Sequence, residues 1–122
     1  MRVSMIGWKN SDEYEAVTRR IQEYVVVIAC QSVGDMVTAG YYYPKAQVTV
    51  KPRYAIQFKG SDGVLVLGDS PWIAYAVLSG KNVFAYSELS SDTFNRITAL
   101  ASRIGVSFTN SLDVKEAMQW AE

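Results

Sequence analysis

Three short apolar segments, each followed by a helix-forming one, fill the second half of the chain and leave it few folds to choose from. Val64 to Leu67 is an unbroken apolar run with β-branched residues, bounded by glycines. That is the pattern of a strand buried on both faces. Ser70 and Pro71 follow as an N-cap and first-turn pair, and Gly80 closes the helix they open. Asn82 to Tyr86 reads as a second strand. A helix from about Ser91 to Ile104 carries Phe94, Ile97, Ala101 and Ile104 on one face. Gly105 ends it, Val106 to Phe108 reads as a third strand, and a last helix turns Val114, Ala117, Met118 and Ala121 inward. Strand-helix repeats this short predict parallel neighbours joined by right-handed crossovers.

The first half opens the same way. Val3 to Ile6 is a strand that leaves through Gly7-Trp8-Lys9-Asn10. Asn10 and Glu13 have capping-box spacing before a helix over about Ser11 to Glu23, with Tyr14, Val17 and Ile21 inward. Val25 to Ala29 is an internal strand. Asp35 to Ala39 reads as one helical turn or a loop, stopped by Gly40, and Tyr41-Tyr42-Tyr43 as extended chain with alternating faces. Val48 and Val50, then Tyr54, Ile56 and Phe58, alternate with polar residues. They suit an antiparallel excursion around residues 41–60 or the edge of a mixed sheet. The expectation is one compact three-layer α/β domain over residues 1–122, with a mostly parallel, mixed sheet.

Twelve basic and twelve acidic side chains cancel in this chain of 122 residues. No overall field gathers nucleic acid or anionic lipid, so neither is expected as a partner. Histidine is absent, which removes the usual general base, the Ser-His-Asp and Cys-His arrangements and nearly all zinc sites. The lone Cys30 sits inside an apolar run and reads as a satellite of the core. The N-terminal stretch lacks a signal-peptide pattern, and no window holds the roughly 18 apolar residues of a membrane span. A soluble cytoplasmic protein is expected.

In an open parallel sheet, ligands bind outside the carboxyl ends of the strands. The loops on that side bring forward Trp8 and Lys9, then Gly68, Asp69 and Ser70, then Ser87 and Glu88, and last Asn110. Each loop leads into a helix N-terminus, where unpaired N–H groups favour an anion. Ser, Asn and Asp suit hydrogen bonding to a nucleotide or sugar, although ordinary helix caps use the same residues. A small phosphorylated or nucleotide-like molecule is the expected partner, with Gly68-Asp69-Ser70 the leading turn and Trp8 a stacking surface. No glycine-rich fingerprint is present, so no common cofactor is indicated. Acid-base work by Asp69 and Glu88 would need their separation.

Two other function classes have residues behind them. Ile56-Gln57-Phe58-Lys59 resembles the Glu-x-Lys half of the PD-(D/E)xK nuclease motif, with Gln in place of Glu. That resemblance implies a metal-dependent nuclease, but the preceding strand, Gln47 to Lys51, lacks the metal-binding Asp. Trp72, Trp120, Tyr86 and the tyrosine run exceed what one small core needs, and aromatic residues anchor interfaces. A protein-interaction module is the second alternative, and pairing of half-exposed strands makes a homodimer the expected assembly.

Overall fold

The computed structural model describes residues 1–50, 58 and 60–122. The elements are β1 (Val3–Trp8), α1 (Asp12–Ile21), β2 (Val25–Cys30), α2 (Val33–Tyr42), β3 (Gln47–Val50), β4 (Gly63–Leu67), α3 (Trp72–Leu78), β5 (Asn82–Tyr86), α4 (Ser91–Ile104), β6 (Phe108–Asn110) and α5 (Val114–Ala121). The six strands form one sheet in the order β3-β2-β1-β4-β5-β6. Every pairing within it is parallel. This is the 3-2-1-4-5-6 order of the Rossmann fold, which reverses direction between β1 and β4.

The apolar runs explain the layering. Val64 and Val66 of β4 point to one face, with Ile73, Ala76 and Val77 of α3 and Ala101 of α4. Leu65 and Leu67 point to the other, with Val17 and Ile21 of α1, Ala39 of α2, and Ala117 and Ala121 of α5. All five residues of β4 are buried, as a central strand covered on both sides requires. Cys30 is buried too, as its apolar neighbours predicted.

The structure corrects the first half at α2. Residues 33–42 form a full helix of 10 residues, which takes in Tyr41 and Tyr42. Ser32 caps it by accepting from the Asp35 N–H at 3.1 Å, and Ser32-x-x-Asp35 is a capping pattern that announces the start. The helix-weakening Gly34 and Gly40 obscured it. This helix is the crossover that a parallel neighbour needs, where half-exposed alternation suited an antiparallel excursion or a sheet edge equally. With the helix in place, Gln47–Val50 runs parallel to β2 and forms the sheet edge. Tyr54 and Ile56, the rest of the expected excursion, lie outside the described residues, as do Gln57 and Lys59 of the nuclease resemblance. Among the described residues, no helix is long and apolar enough to cross a membrane.

Candidate functional site

The carboxyl ends of β1, β4 and β5 lie side by side, because these strands are hydrogen-bonded neighbours. A cavity of about 360 Å³ opens there. Gly68 and Asp69 line it from the loop after β4, and Ser87 and Glu88 from the loop after β5. Those four are sequence-stated candidates that the fold brings together. Tyr86, Leu112, and Glu13 and Tyr14 of the first turn of α1 complete the wall. Tyr14 was legible only as a core-facing helix residue, and Tyr86 only as part of a strand.

Ser87, Tyr14 and Tyr86 are the hydroxyl-bearing residues of the cavity's lining. Ser87 is 8% exposed. Its Oγ is sealed from solvent and has no hydrogen-bond partner among the described residues. Asn110, at the end of β6, holds this turn in place: its Nδ2 donates to the Ala85 carbonyl at 2.9 Å and to the Ser87 carbonyl at 2.7 Å. Asn110 was expected in a ligand-binding loop, and its amide hydrogens are instead engaged by β5. It positions Ser87. Burial, then Glu13, Asp113 and Tyr14, raise the pKa of Tyr86, and burial followed by Glu13 raises that of Tyr14. Both phenols therefore keep their protons at neutral pH and can donate.

Gly68 has φ +91°, a conformation that side chains rarely adopt. Its N–H donates to the Tyr86 carbonyl at 3.1 Å, so the turn is tied to β5 and that donor is engaged. A methyl group at Gly68 would stand 3.4 Å from the Tyr14 hydroxyl, which places the residue at the cavity wall. Ser70 faces away, into a neighbouring cavity of about 350 Å³ between α3 and α4 that shares Asp69. Its Oγ accepts from the Trp72 N–H at a long 3.3 Å.

Trp8 is corrected outright. It is the last residue of β1, fully buried, and its indole N–H donates to Thr18 Oγ1 at 3.1 Å. An indole inside the core offers no stacking surface. Lys9 is exposed, with its ammonium 5.5 Å from the centre of the Tyr14 ring, and it does not line the cavity.

The crevice between the β1–α1 and β2–α2 loops is laced together. The Asn10 N–H donates to Asp35 Oδ1 at 2.9 Å, and Ser32 Oγ donates to Asp35 Oδ2 at 2.7 Å. Gln31 Nε2 donates to the Gly7 carbonyl at 2.8 Å. The N-cap of α1 is Ser11, which accepts from the Tyr14 N–H, and not the expected Asn10. Asp12, Glu13 and Glu15 fill the first turn and offset the positive end of the helix dipole. Among the described residues, no three His, Cys, Asp or Glu side chains converge to hold a metal ion.

No family model matches the chain, and comparison with curated proteins gives no match. Solved structures do resemble it. A probable dehydrogenase from Thermotoga maritima superposes with TM-score 0.74 at 12% identity, over 91% of this chain and 36% of its own. A 3-ketoreductase from Actinomadura kijaniata, solved with TDP-benzene and NADP, gives 0.70 at 19% identity, over 91% and 37%. Biliverdin reductase from Synechocystis, solved with biliverdin and NADP+, gives 0.69 at 13% identity, over 90% and 37%. The chain spans little more than a third of the length of these proteins. They establish a Rossmann-type fold, an architecture consistent with nucleotide binding at the carboxyl-end loops.

The residues do not fit a dinucleotide held in the manner typical of that fold. A Gly-x-Gly-x-x-Gly turn beginning at Gly7 would need glycine where Lys9 and Asp12 stand. Gly7 itself serves the sheet, since a methyl there would lie 2.7 Å from the Leu67 carbonyl oxygen. Gln31 follows β2 where an acidic residue would hold the ribose, and its amide is engaged by Gly7.

Proposed function

We propose that this chain binds a small nucleotide-like ligand in the cavity between the β4–α3 and β5–α4 loops, through the hydrogen-bonding groups of a sugar or base. The observation that carries this is the polar cavity at the carboxyl ends of the strands, where Gly68 and Asp69 after β4 meet Ser87 and Glu88 after β5. Tyr14 and Tyr86 add donors, Asp69 and Glu88 add acceptors, and Gly68 keeps the wall low. The test is native mass spectrometry of the protein as purified, then calorimetric titration with nucleosides, nucleotides and sugars. Asp69→Ala should weaken a hit by about 0.5–1.5 kcal/mol. The reading fails if nothing binds more tightly than about 1 mM, near −4 kcal/mol, or if every hit is indifferent to both Asp69→Ala and Gly68→Val.

A second observation supports the homodimer. Val33, Val37 and Tyr41 repeat every four residues along the outer side of α2 and are 61%, 67% and 83% exposed. They stand beside the β3 edge, and pairing would cover both. Sedimentation at micromolar protein should show a dimer, which Val37→Asp converts to monomer. A single 13.6 kDa species in the unsubstituted protein refutes it.

A further inference from the structure

We infer that the crevice where a Rossmann domain typically holds a dinucleotide is closed in this chain by its own Asp35, so that neither NAD(H) nor NADP(H) binds there. In the typical arrangement the pyrophosphate lies against the first strand-to-helix turn, where glycines let it reach backbone N–H groups. That turn is here Lys9-Asn10-Ser11, between β1 and α1. The Asn10 N–H donates to Asp35 Oδ1 at 2.9 Å. A carboxylate from α2 thus meets the backbone donor that a bound anion would meet. Asp35 is half-buried and held in turn by Ser32. Its Oδ2 accepts from Ser32 Oγ at 2.7 Å, and its N–H donates to the same oxygen at 3.1 Å.

The ribose end of the crevice is taken as well. Gln31 stands just past β2, where an acidic side chain would hold the ribose hydroxyl. Its N–H donates to the Trp8 carbonyl at 2.9 Å, and its Nε2 to the Gly7 carbonyl at 2.8 Å. With the bond from Asn10 to Asp35, three hydrogen bonds join the two loops across the crevice. The N-cap Ser11 takes the Tyr14 N–H, and Asp12 and Glu13 follow in the first turn of α1. A pyrophosphate would have to displace Asp35 and would then meet further carboxylates, whose like charge adds to the cost. Lys9, the basic residue of the turn, has its ammonium 5.5 Å from the centre of the Tyr14 ring. Asn10, Gln31 and Asp35 do not line the cavity beside β4 and β5. A closed crevice and a ligand-bearing cavity are therefore independent properties of the chain.

The experiment follows the Asn10 and Gly68 amides by NMR in the unsubstituted protein and in Asp35→Ala. NADH and NADPH at up to about 1 mM, near −4 kcal/mol, should leave the Asn10 amide of the unsubstituted protein unmoved. In Asp35→Ala the hydrogen exchange of Asn10 should speed up at least about tenfold, because a bond to a charged acceptor is lost. The Leu65 amide, in the middle of β4, should keep its protection and so report an intact fold. Should Leu65 lose protection as well, the comparison passes to Asp35→Asn, which keeps an acceptor oxygen without the charge and should still raise the Asn10 rate. An Asn10 rate unchanged in both variants overturns the closure. So does an Asn10 shift that saturates below about 1 mM NADH or NADPH, and the proposed function then survives if Gly68 still responds to a nucleoside. A nucleotide that moves Gly68 and not Asn10 upholds both. If nothing moves Gly68, the proposed function falls and the exchange rates alone decide the closure.

Discussion

Replacing Ser87 with alanine should stabilise the free protein, against the usual direction of a core substitution. A buried hydroxyl that has exchanged water for nothing carries a desolvation cost of about 1–3 kcal/mol. Ser87 is 8% exposed, and its Oγ contacts neither solvent nor a partner among the described residues. Deleting one oxygen leaves a void smaller than a methyl group, which returns at most about 1 kcal/mol of that cost. A net gain of about 1 kcal/mol follows, or a rise of roughly 4 °C in melting temperature for a chain of this size. Ser90, three residues on, is the control. It caps α4 by accepting from the Thr93 N–H at 3.1 Å, so Ser90→Ala should lose about 1 kcal/mol. Urea unfolding of the two variants therefore gives one chemical change with opposite signs. A loss of stability in Ser87→Ala similar to that of Ser90→Ala would show that the Oγ is already paired in the free protein.

Asn110→Ala should cost about 1 kcal/mol by removing the Nδ2 donor from the Ser87 carbonyl, while the Ala85 carbonyl keeps the Ser111 N–H, and it should broaden the Ser87 amide resonance; an unchanged urea midpoint refutes the positioning role. Gly7→Ala combines φ +90° with a 2.7 Å contact to the Leu67 carbonyl oxygen, so it should cost about 3 kcal/mol, against about 1 kcal/mol for Gly80→Ala, whose space is open. Equal losses in denaturant titrations would show that the β1–β4 contact relaxes freely. Burial, then Asp35, raises the Cys30 thiol from 9.0 to about 12, and burial above all raises Tyr43 from 10.0 to about 12. Both groups bind protons more tightly when folded, so their stability is intact below pH 9 and is lost as pH rises through about 12. A disulfide reagent at pH 8 should leave native Cys30 untouched and label it only on unfolding; rapid labelling of folded protein refutes its burial.

The fold was legible wherever periodicity and punctuation agreed. Val64–Leu67 has no polar residue to face water, so it had to become a central strand, and it did. Gly105 ends α4 in a left-handed cap, as its place after Ile104 foretold. The third strand runs over Phe108–Asn110 and not from Val106, because alternation in so short a run does not fix register. At α2, sequence signals conflicted. Two glycines and a tyrosine run argued for loop, while Ser32 and Asp35 marked a helix start. The need for a crossover between parallel strands decided the matter, and that need exists only once β3 is known to pair with β2.

The site was legible as an edge and not as a set of contacts, since loop chemistry and cap chemistry use the same residues. Ser87 and Asn110 show the difference. Both stand in polar segments after strands, and both looked equally suited to a ligand. Parallel pairing of β5 with β6 sets Asn110 across from Ala85, where backbone carbonyls engage its amide. The same pairing leaves Ser87 just past the last bonded pair, inside the wall and without a partner. A similar exchange occurred at the first loop. Trp8 has the composition of a stacking surface, yet the register shift between Ile6 and Trp8 turns it away from the layer of Ile6 and into the one shared with Val17 and Ile21, where an indole gains far more by burial than at a rim. Tyr14 takes its place on the cavity wall, one helical turn along. Beside it, Asp12 and Glu13 stand in the first turn of α1 and Asp35 in that of α2, where the fold would set a phosphate. The architecture thus sets which loops meet at that edge, and local pairing sets which of their side chains remain available there.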